Sequence, residues 1–139
     1  MSALQRSIDG RGLTLQAFHI LPKIRELDDY IVADPNRQAS IFEIHPEVSF
    51  ALWNDGKPMD YNKVRSAGRS ERETLIDAEW SGQRERLWAA VRDQGCGRDD
   101  LNDAFAALWT VRRIAAGQAV RMPVVLEQDE RGVRMEIVA

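Results

Sequence analysis

Two aspartates open the clearest helical stretch of this chain. In Asp99-Asp100-Leu101-Asn102-Asp103-Ala104, Asp100 and Asp103 stand three residues apart, a spacing that puts both carboxylates on one face of a helix. Ala104 and Ala107 extend that face with side chains small enough to let another element approach. Paired carboxylates at this spacing can hold Mg²⁺ or Mn²⁺ through oxygen. The same aspartates also have a plainer use. Acidic side chains at a helix start satisfy first-turn N–H groups and the positive end of the helix dipole.

A second candidate is Ile41-Phe42-Glu43-Ile44-His45-Pro46-Glu47-Val48-Ser49-Phe50. Ile41, Phe42 and Ile44 are strand formers, and Pro46 suits the first turn of a following helix. In an extended chain Glu43 shares a face with Ile41 and His45, so apolar residues flank it on both faces. A buried carboxylate there requires a cation, a metal or hydrogen bonds. Glu43 is thus a candidate catalytic acid, and equally a satisfied structural Glu. His45 reads as a general base or metal ligand on one view, and as a hydrogen-bonded structural residue on the other. Lys63, Arg65, Arg69 and Arg72 cluster around Gly68 and could contact phosphates, although Glu71 and Glu73 interleave and dilute the charge. Cys96, between Gly95 and Gly97, reads as an incidental loop thiol, and His19 gets no functional reading. Trp53, Trp80, Trp88 and Trp109 fall at helical apolar positions and read as core or interface.

These residues must be positioned by a helix-rich framework. Apolar spacing predicts a helix over 14–32 with Thr14 as N-cap and Pro22 marking a kink or two abutting helices. It predicts a core strand at 39–45, a short helix at 46–53, helices near 69–80 and 83–94, and a long helix over 99–117 ended by Gly117. The tail alternates Val133, Met135 and Ile137 against Arg134 and Glu136, which predicts a strand pair around Asp129-Glu130-Arg131-Gly132. Residues 1–12 read as a loose leader and 13–139 as a single domain.

Composition narrows the function classes. The chain has 139 residues, 44% of them hydrophobic and 29% charged, with a net charge of −3, as expected of a soluble globular protein. That charge supplies no global field for nucleic acid or anionic membrane, so a nucleic-acid role needs a local basic patch. One cysteine excludes an intrachain disulfide framework. No apolar run approaches the roughly 18 residues of a membrane span, and no signal peptide opens the chain. The expected location is the cytoplasm.

Taken together, several segments resemble a bacterial and archaeal family catalogued as domain of unknown function 429 and described as predicted ribonuclease-H-like nucleases. They are Gln16-Ala17-Phe18 with Leu21-Pro22-Lys23-Ile24-Arg25-Glu26-Leu27-Asp28, the stretch from Phe42 to Phe50, Lys63 with Gly68-Arg69 and Arg72, the Asp99–Ala107 segment, and Arg131–Ile137. The resemblance implies a ribonuclease-H-like domain in which carboxylates hold divalent metal for phosphodiester chemistry. In it Asp100-x-x-Asp103 looks like the acidic motif of the final helix in the Holliday-junction-resolvase branch. Family members begin with a strand carrying an Asp-Gly motif, then a hairpin and another acid-bearing strand. The resemblance starts after these.

The expectation is therefore a helix-rich α+β fold, a truncated ribonuclease-H-like domain. It would keep Glu43, Asp100 and Asp103 as catalytic candidates, Asp100 and Asp103 as Mg²⁺ or Mn²⁺ ligands, and Lys63, Arg65, Arg69 and Arg72 as nucleic-acid contacts, without a complete metal site. Two-metal chemistry needs several carboxylates converging on ions about 3.5–4 Å apart, and this pair supplies part of that. One alternative is an active metal-dependent nuclease assembled from Glu43, Glu47, Asp100 and Asp103. Another is a non-catalytic nucleic-acid-binding module. A strand at 39–45 without neighbours would leave open edges, which favour association, so a homodimer is expected.

Overall fold

The computed structural model describes residues 14–139. Five α-helices precede one β-hairpin: α1 (Leu15–Val32), α2 (Pro46–Trp53), α3 (Ser66–Glu79), α4 (Gln83–Val91), α5 (Arg98–Ala115), β1 (Arg121–Gln128) and β2 (Arg134–Val138). The fold is helix-rich α+β, as the apolar periodicities require. Among the described residues, two 3₁₀ turns, Pro35–Ala39 and Arg92–Gln94, punctuate it. The predicted leader at 1–12 lies outside the described residues.

Local chemistry sets the helix ends. Thr14 Oγ1 accepts from Ala17 N–H at 3.1 Å and caps α1, taking up one of the first-turn donors that a helix leaves unpaired. Pro22 sits inside α1, and the helix runs through it as one element. Pro46 opens α2. Gly117, with φ +68°, follows the end of α5 in the left-handed region, where glycine carries no Cβ penalty.

The chain groups into two compact units. The first comprises the residues up to Phe42 together with Glu127–Met135. In it the 3₁₀ turn at Pro35–Ala39 follows α1, and the hairpin turn is tied down at several points. Arg131 pairs with Asp29 at 2.7 Å, Gln38 donates to the Gly132 carbonyl at 3.1 Å, and the Arg134 guanidinium lies 5.7 Å from the Phe42 ring centre. Asp129 Oδ1 accepts from the N–H groups of Arg131 and Val133, which closes the turn around Gly132.

The second unit comprises Glu43–Leu126 and Glu136–Ala139. Its core is Phe50, Ile76, Phe105 and Ala106, with Trp53, Met59, Leu75, Trp80 and Leu101 packed against them. Trp53 is the hub: it stacks on Phe50 at 5.8 Å and on Trp109 at 5.4 Å, and meets Trp80 edge-on at 5.3 Å. Trp53 and Trp80 thus pack on the core, in keeping with their helical spacing, and Trp109 joins them by stacking on Trp53. Trp88 instead lies under the Arg98 guanidinium, 5.0 Å away. A buried hydrogen bond of 2.9 Å between Ser49 and Thr110 joins α2 to α5, leaving neither hydroxyl unpaired in the core.

One predicted element is absent. Residues 41–45 form no strand. The Ile41 N–H is drawn back to the Arg37 carbonyl at 3.0 Å, and one cross-chain bond, Val138 N–H to the Glu43 carbonyl at 2.9 Å, touches the segment. Among the described residues the sheet has two strands, β1 and β2, and no ladder of theirs runs along this stretch. The strand-forming residues are there, and among the described residues the pairing that defines a strand is missing.

Candidate functional site

The site grows from the buried stripe of α3. Gly68, Arg72 and Ile76 recur every four residues and are all buried, so this stripe faces inward. Ile76 enters the apolar core. Gly68 meets the loop before the helix: a Cβ built on it would lie 2.1 Å from the Asn62 carbonyl oxygen. Only a glycine admits backbone that close. The loop is then pinned by the same helix. The Glu71 carboxylate accepts from the N–H groups of Asp60 and Tyr61 at 2.7 and 3.2 Å, and Arg72 donates to the carbonyls of Tyr61 and Gly68 at 3.2 and 2.6 Å.

Arg72 is 2% exposed, and a buried guanidinium needs a partner. Glu47, in the first turn of α2, supplies it. Arg72 Nε donates to Glu47 Oε1 at 3.0 Å, and Nη2 donates to Oε2, a two-point fork between α3 and α2. The guanidinium also lies 5.7 Å from the Phe50 ring centre. Sequence reasoning put Arg72 in a surface phosphate cluster and Glu47 in a metal set. Each instead satisfies the other. The signal that could have found this is the register of α3, where Arg72 falls midway between Gly68 and Ile76.

Glu47 and Arg72 form one wall of an open cleft of about 380 Å³, and the loop from Met59 to Lys63 forms the other. Lys63 carries the cleft toward α5. Its ammonium bonds Asp103 Oδ2 at 2.8 Å, and Asp103 chiefly, through that bond and its charge, holds the Lys63 pKa above the ordinary lysine value. Burial opposes the shift, while the charges of Glu47 and Asp99 add to it. Lys63 is therefore a cation among three carboxylates. A raised lysine pKa means the pairing contributes fully below the unfolded lysine value and is lost as pH rises through the folded one. At neutral pH the pair is intact. Lys63 is more than a third exposed, and solvent weakens such a pair.

The two aspartates of the predicted pair do different work. Asp100 Oδ2 accepts from Gly97 N–H at 2.8 Å and closes the first turn of its own helix, the plainer of its two expected uses. Asp103 faces Lys63, and its second oxygen, Oδ1, is buried with no hydrogen-bond partner among the described residues. Among those residues, no group of three or more His, Cys, Asp or Glu side chains is placed to hold a metal ion.

Glu43 requires a correction. It was expected to be buried and paired, and it is exposed. His45 is exposed too and holds the N-cap position of α2 without a side-chain cap bond. Of the remaining basic residues, Arg65 is exposed and Arg69 half-buried. No carboxylate of the described residues forms an ion pair with either. The structure thus brings Glu47, Lys63, Arg72 and Asp103 together and leaves Glu43 and Arg65 outside.

Fold and site together define a helix-rich α+β protein with a cleft of paired cations and carboxylates. The chain belongs to the family described as "Protein of unknown function (DUF429)", whose sequence model matches residues 1–128. No curated protein and no solved structure matches the chain. Among the described residues, no helix is long and apolar enough to cross a membrane.

Proposed function

We propose that this chain is a relative of ribonuclease-H-like nucleases that does not cleave phosphodiesters as an isolated chain. The observation that carries this reading is the bond between Lys63 and Asp103. An ammonium stands against the carboxylate that would be the chief metal ligand, and Asp100 is turned to its own helix start. Mg²⁺ gives up its waters reluctantly and relies on carboxylates together with substrate phosphates. The donor set among the described residues does not fit a resident Mg²⁺ or Mn²⁺, so no catalytic step is drawn through one. Nucleic-acid contact in this reading falls to Arg65 and Arg69, which no carboxylate of the described residues neutralises. Such contact is electrostatic and weakens steeply with salt.

A second reading has one observation in its favour. Asp103 Oδ1 is buried with no partner among the described residues, a rare state for a carboxylate oxygen, and a divalent cation would satisfy it. That reading is an active Mg²⁺- or Mn²⁺-dependent nuclease using Glu43, Glu47, Asp100 and Asp103. The two readings separate in one assay with single- and double-stranded DNA and RNA in Mg²⁺ or Mn²⁺. The first predicts no cleavage above that of Asp103→Asn. Mn²⁺-dependent cleavage abolished by Asp103→Asn would establish the second.

A further inference from the structure

The misfit between the acids of α5 and a metal ion traces to one side chain. Asp99 and Asp103 stand four residues apart on α5, so their carboxylates share a face of the helix. Asp99 is half-buried, and no cation of the described residues forms an ion pair with it. Asp103 Oδ1 is buried with no partner among the described residues. Asp100, between them, is turned back to the Gly97 N–H, and the Glu47 carboxylate is taken by Arg72. Of the acids in this part of the second unit, Asp99 and Asp103 are thus the pair that a cation could share.

The cation they meet is Lys63. Its ammonium lies 2.8 Å from Asp103 Oδ2 and feels the charges of Glu47 and Asp99 besides. Lys63 ends a loop held against α3, where Glu71 accepts from the N–H groups of Asp60 and Tyr61 and Arg72 donates to the Tyr61 carbonyl. A metal ion on the same carboxylate would sit about 2.0–2.1 Å from its oxygen in the case of Mg²⁺, within a few ångströms of the ammonium. Like charges so close repel strongly. Without the ammonium, carboxylates on one helix face can hold a divalent ion that keeps several of its waters.

We propose that Lys63 is a built-in counter-cation that keeps divalent metal off Asp99 and Asp103, an autoinhibitory contact whose removal opens a metal site on α5. This rests on the reading above, in which the parent chain holds no metal. Titration of the full chain with Mn²⁺, followed by the electron paramagnetic resonance of the free ion, reads it directly. Lys63→Met should take up one Mn²⁺ per chain at least about tenfold more tightly than the parent. Adding Asp99→Asn or Asp103→Asn should return uptake to the parent level. Lys63→Arg keeps the positive charge and should bind no better than the parent. Lys63→Gln keeps a donor toward Asp103 and should gain Mn²⁺ as Lys63→Met does, so a loop loosened by methionine does not decide the result. Helical circular dichroism should stay unchanged throughout, because Lys63 is more than a third exposed. Uptake by Lys63→Met and Lys63→Gln no tighter than the parent's would overturn this proposal alone and leave Lys63 as a tie between loop and helix. So would a gain that survives Asp103→Asn. Tight uptake by the parent chain would overturn the proposal together with the reading it rests on.

Discussion

Arg72 gives its guanidinium to Glu47 and to two loop carbonyls while almost wholly buried. Removing it strands a carboxylate and two carbonyls at once. Arg72→Ala should cost about 3 kcal/mol, the low end for breaking a buried ion pair because Glu47 retains some contact with water. Glu43→Gln, on an exposed side chain, should change stability by less than about 0.5 kcal/mol. Thermal or urea melts of the two variants side by side check the contrast, and equal losses would show that residues 41–45 are covered after all. Much of the site at this scale was hidden in the sequence. The Asp100–Asp103 spacing was legible, but not that Lys63, 40 residues earlier, would occupy Asp103. Glu43 misled because flanking apolar residues were read as a covered strand, when cover depends on neighbouring strands that no local pattern reveals.

At the scale of elements, helices read well and the isolated strand did not. The stripe of α5 and its stop at Gly117 lie within the helix's own sequence, so local periodicity sufficed. The hairpin was legible too, because its turn residues and its alternation lie close together. α3 begins at Ser66, three residues before its predicted start, because Gly68 allows the helix to press against the backbone of its own preceding loop. The loop held in this way carries Lys63, which bonds Asp103. Gly68→Ala would place a Cβ 2.1 Å from a backbone oxygen, so the loop must move or the helix must unwind. A loss of about 2 kcal/mol follows, in the range for overpacking a tight site, together with weakened Lys63–Asp103 pairing. An unfolding midpoint equal to that of the parent chain would show that the loop is held elsewhere.

For the molecule as a whole, net charge and composition set only the broad class, and family membership names no activity. The account of function therefore rests on whether the acids of the second unit can take a metal. Lys63 already neutralises Asp103, and Asp100 caps its helix. The most direct measurement is titration of the full chain with Mn²⁺, following free aqueous Mn²⁺ by electron paramagnetic resonance. The account predicts no site tighter than about 1 mM, and the same free-ion signal for the parent chain and Asp103→Asn. One tight Mn²⁺ per chain, lost in Asp103→Asn, would contradict it and make the unpartnered Asp103 oxygen a metal ligand.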